Sequence, residues 1–454
     1  MSPNLGKRFV RERFHYSSLH RALPPPLWLL ASYVLLALIG GLLLYGPGAT
    51  TRPLAFHEAL FTAVSAVTVT GLIVVDTGSD FTPWGQIIIL SLIQIGGFGV
   101  MTFSVLIALQ SGKRLDLHQQ RLAQEALNVS RTGKIWDVAR AVIQFTLVCE
   151  LAGIALLTLL WRETLGWSQA LYHAFFHSIS AFNNAGFALA PNNLIPYVAD
   201  IPVTLVISGL LIAGGLGFPV LRDLQHAGRW RALQAYTRLM LVASLLVNGV
   251  AWILLWGFER HNPATLGALP LSAQLNAAWL QAVTPRTAGF NSVPIEALTG
   301  PSTLLIIVLM FIGGGSCSTA GGIKLSTLVI LLQTTLTYLR QRDEITLMRR
   351  VLPRELVFKA FAITVMATMW VVMGTLLLSI MQEAPLLDEL FEVVSALSTV
   401  GLSRGLTTQL TPASQSLIMI LMLIGRVGPL SLAYLLATPK LHRLSYPRIE
   451  MPVG

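Results

Sequence analysis

FTAVSAVTVTG, residues 61–71, decides how this chain is read, because it returns as FHSISAFNNAG over 176–186, WLQAVTPRTAG over 279–289 and FEVVSALSTVG over 391–401. The closing glycines, Gly71, Gly186, Gly289 and Gly401, stand 115, 103 and 112 residues apart. Four copies of one short semi-apolar segment at a near-constant interval predict four copies of one membrane hairpin about a common axis. Four backbone turns around an axis are a way to build an ion filter.

Composition supports a membrane setting. The 454 residues are 54% hydrophobic and 11% charged, against ~25% charged for soluble domains, and the mean hydropathy is +0.67. Apolar runs of ~20 residues can cross a bilayer as helices. They occur near 27–46, 85–110, 137–161, 198–221, 236–258, 302–338 (interrupted), 356–381 and 413–437. The expected fold is therefore an all-α integral membrane protein, with eight transmembrane helices arranged as four membrane-pore-membrane repeats around a pseudo-fourfold central pore. The repeats fall at 27–110, 136–222, 236–339 and 356–438. Between and around them lie a cytoplasmic N-terminus (1–26), cytoplasmic loops (111–135, 223–235 and 340–355) and a tail (439–454).

The net charge of +10 does not point to nucleic acid, because the basic residues are sorted by side. Lys7, Arg8, Arg11, Arg13 and Arg21 precede the first span; Lys113, Arg114, Arg121, Arg131 and Lys134 follow the second. Arg222, Arg229, Arg231 and Arg238 follow the fourth, Arg340, Arg342, Arg349, Arg350 and Arg354 the sixth, and Lys440, Arg443 and Arg448 the eighth. The intervening segments are poor in them, with Arg52, Arg162, Arg260 and Arg286. The positive-inside rule puts both termini in the cytoplasm. Leu23-Pro24-Pro25-Pro26 leads into a full-length span without a small-residue cleavage pattern, which reads as an anchor. Cys149 and Cys317 lie in or near spans and read as packing residues rather than a disulfide. The sequon at Asn128 lies on the cytoplasmic side and reads as chance.

Each quarter has an outer span, a shorter segment and a second span. The short segments, about 54–67, 169–182, 271–284 and 386–397, cannot cross and suit re-entrant half-helices. Three carry Phe ten positions, and Ser-Ala six and five positions, before the glycine; the third has Trp279, Val283 and Thr284 there. A second echo follows at Gly96-Gly97-Phe98-Gly99, Gly214-Gly215-Leu216-Gly217, Gly313-Gly314-Gly315 and Gly425-Arg426-Val427-Gly428, offset by 25, 28, 24 and 24 residues from the first. Close helix packing accounts for the first two copies; the last two ask for more.

A cation that sheds its water needs replacement oxygens, and backbone carbonyls are the densest supply in a membrane. Aiming them inward takes backbone angles that glycine adopts without penalty. Each half-helix also points the negative end of its dipole at the axis, which favours cations. The lining would be Thr68, Val69, Thr70 and Gly71; Asn183, Asn184, Ala185 and Gly186; Arg286, Thr287, Ala288 and Gly289; and Ser398, Thr399, Val400 and Gly401. It contains no carboxylate, as suits a monovalent ion.

TVTGL, NNAGF, TPRTAGFNSV and STVGL together resemble the Trk/Ktr/HKT superfamily of potassium transporters, over about residues 27 to 438. Within it the chain looks most like the Ktr membrane subunit, having eight predicted spans and lacking the two extra N-terminal helices of the Trk type. The resemblance implies potassium selectivity from the four glycines, since related members with serine at the first position are associated with sodium. Arg286 departs from a neutral lining; it is expected to face backward and tie down the third turn, to a carboxylate such as Glu296.

The sixth span is broken by Gly313, Gly314, Gly315, Ser316, Cys317, Ser318, Thr319, Ala320, Gly321 and Gly322. So many glycines, each costing a helix ~1 kcal/mol relative to alanine, suit a mobile intramembrane loop below the filter, as the resemblance also implies. Arg426 lies too deep in the last span to reach the interface easily, where a charge costs ~2.5 kcal/mol or more. It is expected to oppose free cation flow and to hydrogen-bond that loop. His173 and His177 have the spacing of a metal pair but no third ligand and are expected at the outer mouth. Gly321-Gly322-Ile323-Lys324 lacks the spacing of a phosphate-binding loop.

About 16 residues follow the last span, so regulation is expected from another protein. The resemblance implies a homodimer on a cytoplasmic ring of RCK-type nucleotide-binding subunits, which would sense ATP/ADP or NAD(H), docked on the basic loops near 111–135, 222–238 and 340–355. Those charges also suit contact with anionic lipids. The expected cargo is K+, with Na+ as a possible coupling or activating ion, in a bacterial inner membrane. Two other readings stand beside it: a sodium-selective or poorly selective channel of the same architecture, and an intramembrane enzyme, which would need convergent polar groups at membrane depth.

Overall fold

The computed structural model describes residues 25–99, 135–190, 192–316, 318–348 and 350–428. The N-terminal basic cluster, the loop 111–135 apart from its last residue, Cys317, Arg349 and the tail lie outside them, as do the second parts of the spans expected at 85–110 and 413–437. The described residues are mostly helical, with one two-stranded ribbon, Thr346–Leu347 against Arg350–Val351. Its helices are α1 (Pro25–Tyr45), α2 (Phe56–Thr68), α3 (Pro83–Phe98), α4 (Ile135–Phe182), α5 (Ile201–Leu216), α6 (Phe218–Ala227), α7 (Ala235–Glu259), α8 (Leu271–Val283), α9 (Gly300–Phe311), α10 (Leu325–Leu339), α11 (Arg354–Met381), α12 (Leu386–Leu397) and α13 (Pro412–Val427). In α4, Gly166 at φ 74° and ψ 160° breaks the run into two helical stretches, 135–165 and 167–182.

Among the described residues, α1, α4, α7 and α11 are long and apolar enough to cross a membrane; α3, α9, α10 and α13 are shorter apolar helices. The long helices turn apolar side chains outward: Leu42, Leu151, Leu245, Ile253 and Ile380 are exposed. Such a surface would aggregate in water and suits lipid. The short helices are the opposite. From Phe61 to Thr68 and from Phe391 to Leu397, every residue of α2 and α12 is buried, so these segments are held in the interior by packing on all sides.

The helices that follow the short ones start alike. Thr82, Asp200 and Thr411 cap α3, α5 and α13 by accepting a hydrogen bond from a first-turn N–H, and each helix has proline in its first turn. Both features favour a helix start. α9 also has proline there, but Thr299 instead donates to the buried carboxylate of Glu259, through both its N–H and its hydroxyl, which joins α9 to the C-terminal end of α7.

These helices also stop alike. Gly99, Gly217 and Gly428 follow α3, α5 and α13 at φ 73°, 94° and 95°, with ψ between 132° and 143°. That backbone is open to glycine and strained for other residues. At Gly217 the chain turns by 101° into α6, so the straight span expected over 198–221 is two helices. The span expected over 302–338 is likewise two, α9 and α10, separated by the glycine-rich loop.

Candidate functional site

Each short helix runs into a turn of the same backbone shape. Two residues before each glycine stands a non-glycine residue in the left-handed region: Val69 at φ 57°, Asn184 at 57°, Thr287 at 70° and Thr399 at 51°. The glycines follow at φ 92°, 73°, 75° and 89°. Left-handed angles are rare for β-branched residues such as Val69, Thr287 and Thr399, and such strain, of order 1–3 kcal/mol each, persists only where the surroundings enforce it.

The four turns close on one another in a ring. A Cβ on Gly71 would lie 2.3 Å from the carbonyl oxygen of Ala185, one on Gly186 3.1 Å from that of Ala288, one on Gly289 2.7 Å from that of Val400, and one on Gly401 2.1 Å from that of Thr70. Each quarter thus presents the carbonyl that precedes its glycine to the glycine of the quarter before it, with the fourth closing on the first. Glycine is required here twice over, by φ and by space.

Hydrogen bonds hold the turns from behind. The N–H groups of Gly71 and Gly401 donate to the hydroxyls of Ser65 and Ser395, at 3.0 and 3.1 Å. Ser180, at the same place in the second quarter, donates to the Phe187 carbonyl at 2.7 Å. The recurrent serine six positions upstream therefore braces the turn. Thr68 and Thr70 share a hydroxyl contact of 2.7 Å. In the second turn, the Asn183 amide nitrogen donates to Gln94 Oε1 at 2.8 Å and to Glu150 Oε1 at 3.2 Å, and Gln94 also reaches Glu150 at 3.4 Å. This cluster was missed from sequence, although a carboxylate inside a span is itself a signal.

Arg286 is buried and turned away from the ring, its Nη1 donating to Asn248 Oδ1 of α7 at 3.2 Å. The expected carboxylate partner was wrong: Glu296 instead lines a cavity of about 240 Å³ on one side of the ring, together with the four glycines and Asp76. Its two carboxylates give that mouth a negative field that concentrates cations. Asp76 is fixed there by the N–H groups of Gly78 and Ser79, at 3.0 and 2.8 Å. A further basic residue, Arg404, pairs with Asp388 at 2.5 Å and reaches Thr303 Oγ1 at 2.9 Å, which binds the stretch after the fourth turn to the third quarter.

His177 is not at the mouth. It is buried, edge-on to Trp161 and near Phe290, with His173 stacked on it at 5.9 Å. Burying the aromatic face outweighs solvating the ring.

The glycine-rich loop enters and leaves at one point. Gly313 N–H donates to the Ile323 carbonyl at 2.8 Å, and Leu325 N–H to that of Gly314 at 2.9 Å. From this hairpin the loop reaches the second and fourth quarters. Gly315 N–H donates to the Gly215 carbonyl at 2.7 Å. A Cβ on Gly321 would sit 2.1 Å from Thr399 Oγ1 and 2.5 Å from the Ser398 carbonyl, so the loop lies against the base of the fourth turn. Arg426 donates from Nη1 to the Thr319 carbonyl and from Nη2 to the Gly96 carbonyl, both at 2.5 Å. It thereby joins the loop to the end of α3. Ser318 donates to the Gly315 carbonyl at 2.7 Å and Ser316 meets Ser326 at 3.1 Å, while Gly322 sits at φ 65°. Lys324, read from the sequence only as part of a failed phosphate-loop match, reaches the Ala320 carbonyl with its Nζ at 2.5 Å and closes the end of the loop.

The second glycine echo has a shared role. A Cβ on Gly96, Gly214 or Gly425 would lie 2.0, 1.9 or 1.9 Å from the carbonyl oxygen of Val67, Phe182 or Leu397, each four residues before a ring glycine. Close packing therefore explains the fourth copy as well as the first two. The third is the exception, since Gly313 meets the Gly321 carbonyl of its own loop at 2.0 Å.

Comparison with known proteins shows the family. The TrkH family, described as "Cation transport protein", matches residues 31–442. The chain is 43% identical over 430 residues to the Ktr system potassium uptake protein B of Bacillus subtilis, covering 95% of this chain and 97% of that one. It is 42% identical to the protein of the same name from Vibrio alginolyticus, covering 94% and 95%. It is 32% identical to the potassium/sodium uptake protein NtpJ of Enterococcus hirae, covering 91% and 93%. The crystal structure of the potassium transporter TrkH from Vibrio parahaemolyticus has the same fold, with a TM-score of 0.73 at 19% identity over 94% of this chain and 86% of that one. The chain belongs to the TrkH family of cation transport proteins.

Proposed function

We propose that the chain takes up K+ across a bacterial inner membrane, through a pore that its four quarters build as four membrane-pore-membrane repeats with one glycine each. The ring of four glycine turns, each offering its preceding carbonyl to the next, is the observation that carries this reading. Such a ring supplies fixed oxygens for a dehydrated ion, and its neutral lining suits a monovalent one. The likeness to two proteins named for potassium uptake supports the choice of ion.

The mouth that holds Asp76 and Glu296 is the outer vestibule, where cations collect before entry. On the opposite side the loop from Gly313 to Gly322, held by Arg426, closes the path below the ring. Opening requires it to leave Gly215 and the base of the fourth turn. The names of the relatives refer to a Ktr system, which supports regulation by a separate subunit. In this reading that subunit is a nucleotide-binding ring on the cytoplasmic face, with the membrane chain as a homodimer and both termini inside.

Uptake by cells lacking their own potassium uptake tests the proposal. Wild type restores growth on low K+, and Gly71→Ser, Gly186→Ser, Gly289→Ser and Gly401→Ser each lower the K+/Na+ ratio; ratios unchanged in all four would refute the filter. Sodium is the second reading, favoured by the likeness to a protein named for potassium and sodium uptake. Equal uptake of Na+ and K+ by wild type would select it.

A further inference from the structure

The third turn is held differently from the others. Serine stands six residues before the glycine in the first, second and fourth quarters, and in the first and fourth it accepts the glycine N–H. The second keeps a serine brace through Ser180, which donates to the Phe187 carbonyl; the third quarter has Val283 there and so no hydroxyl to brace it.

Arg286 occupies the space behind this turn. It is 8% exposed, and its polar partner among the described residues is an amide oxygen, Asn248 Oδ1 at 3.2 Å. Its Nε is buried with no partner, and so is the hydroxyl of Ser244 one turn along α7 from Asn248. Both residues line a cavity of about 20 Å³, together with Asn248, Asn184 of the second turn and Gly314 of the intramembrane loop. A cavity of that size holds one water when two or more polar groups face it. An unmade hydrogen bond on a buried guanidinium is among the costlier defects a fold can carry.

We propose that Arg286, Ser244 and Asn248 bind one ordered water behind the third turn, and that this cluster makes Arg286 a positioning residue for ion selection. The water accepts from Arg286 Nε and pairs with Ser244 Oγ, which completes the brace that Val283 cannot provide. Arg286 thus holds the third turn by donating to α7 and the water, where Ser65 and Ser395 hold the first and fourth by accepting the glycine N–H. Because Asn184 and Gly314 wall the same cavity, the third turn is coupled to the second and to the gating loop. The inference rests on the reading of the ring as a potassium filter.

The test is the K+/Na+ flux ratio of the full chain in proteoliposomes, scored relative to wild type. Arg286→Met and Asn248→Leu each lower the ratio about tenfold, the effect of one lost hydrogen bond to a charged group. Ser244→Ala lowers it less, since Asn248 still anchors the guanidinium. Asn248→Asp, which keeps an acceptor for Nη1, loses less than Asn248→Leu. Adding Val283→Ser to Arg286→Met gives the Gly289 N–H an acceptor and recovers part of the ratio, a rescue that a merely structural role would not produce. Should Arg286→Met fail to fold, Asn248→Leu and Ser244→Ala carry the test, and a map that resolves waters must show density within hydrogen-bond reach of Nε and Ser244 Oγ. Ratios at the wild-type level in Arg286→Met or Asn248→Leu, or no density at that point, overturn the inference. A wild type without preference for K+ overturns the filter reading itself, a separate outcome.

Discussion

Single glycines in this chain do three different jobs, and the surroundings of each decide which. Gly401 is required by φ and by contact with the first turn. Gly96, Gly214 and Gly425 sit at helical angles and are required by contact alone, each against a backbone carbonyl that cannot swing aside as a side chain would. Gly209 in α5 and Gly249 in α7 have open space where a Cβ would go. Gly96→Ala, Gly214→Ala and Gly425→Ala are therefore expected to destabilise by about 1–3 kcal/mol through overpacking. Gly209→Ala and Gly249→Ala should instead stabilise by up to ~1 kcal/mol through helix propensity. Melting of the purified protein in detergent checks the contrast, and equal shifts in both groups would contradict it.

At the scale of elements, the glycine-rich loop is tied to the second and fourth quarters by specific hydrogen bonds. Arg426 bridges the loop to the end of α3 through two carbonyls. Arg426→Ala removes both contacts together with a positive charge below the ring, and K+ flux through proteoliposomes is expected to rise several-fold, as about 1.5–3 kcal/mol of hydrogen bonding to a charged group is lost. Flux at the wild-type level would argue against a gate at this position. Elsewhere, Arg52 Nε pairs with Asp80 at 2.8 Å, and Asp80 also accepts from the Asp76 N–H at 2.9 Å, so the pair steadies the segment that carries Asp76 to the cavity beside the ring. The hydrogen bond from Arg52 holds the Asp80 carboxyl below its ordinary value. A depressed carboxylate contributes stability that is full above its unfolded value near ~3.9 and lost as pH falls through the lower folded value. Asp80→Asn is expected to flatten that acid limb of the unfolding curve. Because Arg52 is half exposed, the contribution shrinks in high salt.

For the whole molecule, the ring has no owner: every quarter supplies one turn and abuts another. Gly401 meets both the Thr70 carbonyl and Gly71 Cα, so Gly71→Ala and Gly401→Ala distort one shared contact. Their effects on transport are expected to be non-additive by about 0.5–3 kcal/mol, the range for residues in contact. A double-mutant cycle on K+ uptake measures this, and strict additivity would mean that the two turns act independently.

Much of this was legible along the chain. The spacing of the four glycines, the apolar runs and the short segments were sufficient to place the half-helices to within a few residues, because hydrophobic length and turn chemistry are local properties. The glycine-rich interruption announced the loop between α9 and α10 for the same reason. Partners were not legible. Arg286 was assigned to Glu296, yet Asn248 holds it while Glu296 stands at the mouth; His177 was placed at the mouth, yet aromatic rings bury it. Glu150, Gln94 and Asn183 lie on three separate helices or turns and meet only after packing. The sequence by itself determined where the chain turns, because a turn depends on a few neighbouring residues. Only the tertiary structure decided what each turn meets, since the closure of the ring and the partners of its buried charges depend on residues brought together from all four quarters.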